Sequence, residues 1–436
     1  MSAAALATEA WNDAAPQGSP WGAVRLSGLL EAAARRHGER AAFRDQPGRE
    51  GWSGRPRLEW SYGLGLTAAG RLAAAFGRLG LPAGSPIGVC LPNSSEAALT
   101  ILAVERAGHR PCLLPAAWSE KEIALAIGAA GVQAAVAFGT LAGESPAEML
   151  CRIAARHYGL RFLCAYGPGV PDGVIDLDRA LLADEPGAGE PGGLGSPGPG
   201  SQDRGNPGSQ DPGTVTFGRS GPGRPLHRTG ASLVASAATV LIAAKVAPGD
   251  RILSLLAPDD LAGLATGLVA ALVSGATFEA HGLFDAAALA AAVEGGPPAH
   301  LVAPGWLEGA LAASGLPARL ASTILVHAAP IRFKARAPLR ENVVDVVAFD
   351  ETALIARARD SAGRFAVSIG DGDGSLPAHG LLKIRRDPDG TIRFAGPAAE
   401  VRPWIRGGTA DASPLPEWPD SGFRADVFAG IVIGVS

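Results

Sequence analysis

Residues Pro82–Leu114 read P-A-G-S-P-I-G-V-C-L-P-N-S-S-E-A-A-L-T-I-L-A-V-E-R-A-G-H-R-P-C-L-L, and the order of signals within them decides the fold. A glycine turn leads into a short apolar strand. A proline-containing loop then opens an apolar helix, which Gly108 stops ahead of a second strand. Strand, helix and strand on short connections imply parallel pairing through a right-handed crossover. The segment from Pro248 repeats the pattern with P-G-D-R-I-L-S-L-L-A-P-D-D-L, an apolar helix, and S-G-A-T-F-E-A. Two such units predict an α/β protein of two related, doubly wound subdomains.

Outward from these units, Leu29–His37 and Tyr62–Leu79 carry apolar residues at helical spacing. Glu185–Gly213 is dominated by Gly, Pro, Ser and Asp, too poor in apolar surface to offset the entropy of ordering, and reads as a flexible linker. Leu381–Phe394 alternates around Asp387-Pro388-Asp389-Gly390, a hairpin signal. The chain is therefore expected to divide into a first α/β subdomain over 1–184, the linker over 185–213, a second α/β subdomain over 214–375 and a small β-rich region over 376–436.

Composition excludes several classes. A net charge of −4 over 436 residues gives no electrostatic footprint for nucleic acid. The uncharged stretches Ile123–Gly143 and Leu261–Phe278 approach the length of a membrane span, but internal glycines divide each into a helix and a short strand. Cys90, Cys112, Cys151 and Cys164 show no metal or disulfide spacing and read as reduced thiols. The N-terminus lacks a basic segment before an apolar run, so a cytoplasmic location is expected. Only Lys121, Lys245, Lys334 and Lys383 could act as an ammonium.

The chemistry-bearing stretch is Val215–Arg228, V-T-F-G-R-S-G-P-G-R-P-L-H-R. Apolar residues lead into a Gly/Ser-rich turn of the kind that points successive N–H groups at one anion. Gly218 to Gly223 has the glycine spacing of a P-loop, yet Arg224 and Pro225 stand where lysine and a hydroxyl residue are needed. Gly370–Gly374 lacks the distal glutamate of a calcium loop, the histidines lack metal spacing, and no G-x-S-x-G elbow occurs.

Together these motifs resemble the N-terminal domain of the adenylate-forming superfamily, which includes acyl- and aryl-CoA synthetases. The opening L-L-E-A-A-A-R-R-H-G-E-R-A-A-F, the L-P-N-S-S-E segment, A-P-D-D-L-A-G-L, His327-Ala328-Ala329-Pro330 and Ser421–Asp426 follow the family's order. The resemblance implies ATP-dependent activation of a carboxylic acid or acyl ligand, with magnesium as cofactor. It places Ser220, Gly221, Gly223 and Arg224 on the phosphates, Phe349 on adenine, Thr352 on the α-phosphate and Asp426 on the ribose.

Departures fall on that chemistry. The family's T-S-G-T-T-G-x-P-K-G loop has its threonines replaced by Gly221 and Pro222 and its lysine by Leu226. Its Y-G-x-T-E motif becomes Phe349-Asp350-Glu351-Thr352-Ala353, without the final glutamate. No lysine stands in the context of the family's catalytic lysine, which belongs to a further mobile C-terminal domain that this chain is expected to lack and that a separate protein would supply. Two readings follow: a ligase relative impaired in catalysis, or a non-catalytic scaffold binding an acyl ligand, a nucleotide or a protein partner.

Overall fold

The computed structural model describes residues 24–182, 213–332, 339, 341–360, 374–375, 380–405, 418–428 and 431–436. The linker expected over 185–213 lies outside them except for Gly213, and the 370–374 turn lies outside them except for Gly374.

Both strand–helix–strand repeats form parallel pairs, with Ile87 opposite Pro111 in one and Ile252 opposite Phe278 in the other. Each seeds an 8-stranded sheet. The first runs in the order Arg402–Pro403, Pro225–Thr229, Gly213–Phe217, Arg110–Leu113, Pro86–Val89, Ala134–Phe138, Phe162–Tyr166, Ile175–Asp176. The second runs Ala353–Ala358, Val343–Phe349, Ser322–Ala328, Ala299–Pro304, Arg251–Ser254, Thr277–Ala280, Ala41–Asp45, Glu59–Ser61. A 6-stranded antiparallel sheet gathers the β-rich end of the chain, including the expected hairpin of Lys383–Arg386 and Thr391–Ala395.

Helices Ser95–Arg106 and Gly230–Ala244 and the helical run from Leu261 to Ser274 are buried nearly all round, as interior helices are. They lie between the two large sheets, in one core that reaches from Ile87 and Val136 to Ile252, Ile324 and Val346. Glu120–Ala130 and Pro146–Ala154 cover the outer face of the first sheet. Ala286–Glu294 and Glu308–Ser314 cover that of the second. Local signals set the helix ends: the Ser94 hydroxyl accepts from Ala97 N–H, Ser119 and Glu122 form a capping box, and Gly131 and Gly275 close their helices at positive φ. Both long uncharged stretches resolve into a helix and a strand, and no helix among the described residues is long and apolar enough to cross a membrane.

Sheet membership does not follow linear order. Ala41–Asp45 and Glu59–Ser61, expected in the first subdomain, join the second sheet, where Phe43 sits opposite Phe278. Gly213–Phe217, whose first residue was expected to end the linker and whose remainder was expected in the second, and Pro225–Thr229, expected in the second, join the first, with Val215 opposite Cys112. Within the expected β-rich tail, Arg402–Pro403 also pairs with the first sheet. Alternation along a strand announces that it is a strand, but its partner is chosen by apolar burial far away in sequence; Phe43 and Phe278 are both essentially inaccessible to solvent.

The chain exchange between sheets is fastened by ions. Asp45 ends its strand in the second sheet and accepts the N–H of Ser95, at the start of a helix belonging to the first, at 2.8 Å. Arg49 pairs with Asp45 and with Glu96, whose Oε1 receives Arg49 Nη2 at 2.8 Å and Arg55 Nε at 2.7 Å. Asn93 Nδ2 donates to the Ser254 carbonyl of the second sheet at 2.7 Å. Removing one member of a buried ion network leaves the others uncompensated. Glu96→Ala is therefore expected to lower the unfolding free energy by about 3–5 kcal/mol. Urea titration followed by circular dichroism reads this, and a loss below about 1 kcal/mol would show that the network is dispensable.

Candidate functional site

The two sheets meet where their parallel strands end. The loop 218–224 leaves Gly213–Phe217 of the first sheet and returns antiparallel, closing with Phe217 opposite Pro225. The turn 350–352 leaves Val343–Phe349 of the second sheet, and the segment 255–260 leaves Arg251–Ser254. Carboxyl ends of parallel strands are where open α/β sheets hold ligands. Two turns shape the loop: Gly221 N–H donates to Gly218 O at 2.8 Å and Arg224 N–H to Gly221 O at 3.2 Å, with Gly221 at φ +83°. Ser220, Gly223 and Arg224 are exposed at its rim.

The turn opposite is tied to the loop through consecutive carboxylates. Asp350 Oδ1 accepts the Arg219 N–H at 2.8 Å. A Cβ at Gly218 would stand 2.6 Å from Asp350 Oδ2, so the carboxylate occupies the space that this glycine leaves. Glu351 is 3% exposed; its Oε2 accepts from the Thr216 hydroxyl at 2.7 Å and its Oε1 from Leu261 N–H at 2.9 Å. Burial pushes the Glu351 carboxyl up to about 7, and the charge of Asp260 pushes the same way against the pull of Arg228. The Arg219 guanidinium turns aside, donating to the Ala329 carbonyl at 2.9 Å and lying 5.6 Å from the Phe423 ring.

Arg228 is fully buried. It donates to the carbonyls of Glu351, Ala398 and Glu400 and to the Ser232 hydroxyl, which leaves it no path to a ligand on the loop. Burial lowers its pKa to about 10. Leu226 occupies the middle of a strand between Thr216 and Pro403.

Of the residues expected in the site, Ser220, Gly221, Gly223 and Arg224 share the loop, and Thr352 closes the facing turn through its N–H to Phe349 O at 2.9 Å. Phe349 departs from expectation. It is 2% exposed and packs edge-on against Phe394 at 4.8 Å and Phe423 at 5.7 Å, so its ring is core rather than an adenine platform here. Asp426 is exposed on the strand Asp420–Phe428, on the face opposite the buried Phe423 and Ala425. Magnesium finds a poor fit: Ala353 is buried in the core, both Glu351 oxygens are engaged, and no cluster of His, Cys, Asp or Glu suited to a metal occurs among the described residues. Sequence reasoning missed the role of Asp350. An aspartate at a position that must turn through φ +53° was the available signal. It also missed the pair of His327 Nε2 and Asp345 at 2.9 Å, with Arg359 Nε on the same carboxylate at 2.6 Å.

Residues 30–211 match the family described as AMP-binding enzyme. The fold is that of the adenylate-forming ligases. ATP-bound MatB from Rhodopseudomonas palustris superimposes with a TM-score of 0.68 at 16% identity, over 94% of this chain and 78% of that one. The benzoate CoA ligase of Burkholderia xenovorans gives 0.65 at 17% identity, over 94% and 79%. The fatty acyl CoA synthetase of Mycobacterium tuberculosis gives 0.66 at 16%, over 94% and 78%. No curated protein matches the sequence. The adenylate-forming fold thus puts the loop 218–224 and the turn 350–352 against each other in a chain that shares little sequence with these structures.

The raised Glu351 pKa carries a consequence for stability. A free glutamate titrates near 4.5 and this one near 7, so the protonated form is favoured by folding. That contribution is fully present below the free value and is lost as pH rises through the folded one. Glu351→Gln is expected to flatten the decline in stability between about pH 5 and about pH 8 relative to the unsubstituted protein. Urea midpoints of both proteins across that range test it; parallel curves would place the titration elsewhere.

Proposed function

We propose that this chain is a relative of the acyl- and aryl-CoA ligases that binds a carboxylic acid or its acyl adenylate where the two sheets meet, and in which ATP-dependent activation is impaired. The reaction being weakened is R-COO⁻ + ATP → R-CO-AMP + PPi. The observation that carries this reading is the fate of the cations around the loop. Leucine stands at the lysine position, and Arg228, two residues on, is sealed beneath the sheet on carbonyl oxygens. Each charge-assisted hydrogen bond to a triphosphate is worth about 1.5–3 kcal/mol, so the loss of the cation at position 226 weakens nucleotide binding. Arg224 and Arg219 are both exposed on the loop that carries Ser220, Gly221 and Gly223, and of the two Arg219 is bonded to the Ala329 carbonyl.

The second reading, a scaffold that holds an acyl ligand without activating it, is favoured by the same geometry together with the burial of Ala353. Restoring the missing acid there would drive a carboxylate into the apolar core around Phe349 and Ile355, so the loss is built into the packing rather than confined to one surface residue.

Acid-dependent pyrophosphate release over a panel of aliphatic and aromatic acids separates impairment from competence. Turnover is expected well below about 1 s⁻¹, the low end for ordinary enzymes. Calorimetry with a non-hydrolysable acyl-adenylate mimic is expected to show binding. Turnover at or above that rate, or a mimic that fails to bind, would overturn the reading.

A further inference from the structure

Three features converge on Asp350. Its carboxylate accepts the Arg219 N–H at 2.8 Å, the first amide of the anion-binding loop beyond Gly218. The oxygen atoms fill the volume where any residue other than glycine at 218 would place its Cβ, 2.6 Å from Oδ2. The backbone of Asp350 is held at φ +53°, in the left-handed region that aspartate tolerates better than most residues and that its surroundings enforce here. What enforces it is the neighbouring residue: Glu351 is clamped by Thr216 and Leu261, and its carbonyl by Arg228. One carboxylate fixes the turn and thereby presents the other to the loop.

We infer that Asp350 is an internal anion that occupies the loop where a ligand's phosphate would lie, and that it is the residue that decides whether this site accepts an external polyphosphate. A loop of backbone N–H groups recognises negative charge without regard to its source, so a carboxylate held at hydrogen-bond distance competes directly with phosphate. It competes doubly, because an arriving polyphosphate meets the Asp350 charge and also finds one donor already taken. The Arg219 guanidinium does not relieve this, since it is turned to the Ala329 carbonyl. The inference rests on the reading above that the chain has an adenylate-forming site with weakened nucleotide binding, and it names the cause of the weakness.

The test uses sodium pyrophosphate and MgATP as probes, titrated calorimetrically into the full chain and two variants. Asp350→Gly removes the carboxylate and suits the positive φ; Asp350→Asn keeps the shape and tolerates the same backbone while removing the charge. Both are expected to bind pyrophosphate and MgATP at least tenfold more tightly than the unsubstituted protein. Hydrogen exchange of the Arg219 amide gives a readout independent of ligand: it is expected to be slow in the unsubstituted protein and fast in Asp350→Gly. Cooperatively unfolding variants whose affinities are unchanged or weaker would overturn the inference, as would an Arg219 amide that already exchanges freely. Failure of the underlying reading looks different. Tight MgATP binding and ordinary turnover by the unsubstituted protein would defeat that reading whatever the variants do. Weak binding by all three proteins would leave that reading standing and remove Asp350 as its cause.

Discussion

The structure depends on a buried knot of charge that joins elements of two sheets. Glu96 opens a helix of the first sheet's layer and accepts two guanidinium groups, Arg49 and Arg55, that follow a strand of the second. Asp45 reaches back to cap that same helix at Ser95. Burying four ionised groups is costly, and the cost is offset only if every one of them is partnered within hydrogen-bond distance. That condition is stringent about geometry. It fixes the register of the first sheet's helix against the second sheet's strand, and with Asn93 on the Ser254 carbonyl it holds the carboxyl ends of both sheets against one another. The L-P-N-S-S-E segment, which resembles the adenylate-forming family most closely, thus works as a clamp: its Asn and Glu assemble the crevice and do not line it.

Once the sheets are held this way, the crevice is bounded by backbone turns rather than by reactive side chains. The loop 218–224 and the turn 350–352 face each other because each leaves the carboxyl end of a strand whose position the clamp has set. Their contact is electrostatically one-sided. Asp350 and Glu351 bring two carboxylates, while the nearest guanidinium groups, Arg219 and Arg228, are committed to carbonyl oxygens. Burial, and after it the charge of Asp260, make Glu351 hold its proton to higher pH.

How much of this was legible in the sequence varies with the range of the interaction. The Pro82 and Pro248 repeats, the split uncharged stretches and the Asp387–Gly390 hairpin are local patterns, and each formed as read. Strand partnership is a property of distant contacts, which is why linear order alone did not reveal that Ala41–Asp45 joins the second sheet and Gly213–Phe217 the first. Phe349 shows the same limit at a single residue. An aromatic ahead of a turn suits adenine and suits a core equally, and only the arrival of Phe394 and Phe423 from a third sheet decides between them.

Gly218, Asp350, Glu351 and Arg228 are coupled through space and do not act one by one. Across the crevice from the loop, the Asp350 carboxylate takes the Arg219 amide. With that aspartate seated, the glycine at 218 leaves the space that its carboxylate fills. Glu351 must in turn be buried and bonded to hold the turn, which takes it away from any metal. Arg228 completes the arrangement by bonding the carbonyl of that same glutamate. Read as a set, Gly218, Leu226, Arg228, Asp350 and Glu351 describe a loop whose electrostatic need is met from within the chain. Reversing any one of the first three alone leaves the others still arranged around the internal carboxylate, and this is why the removal of Asp350 itself, the group that touches the loop, is the change from which the site can reopen.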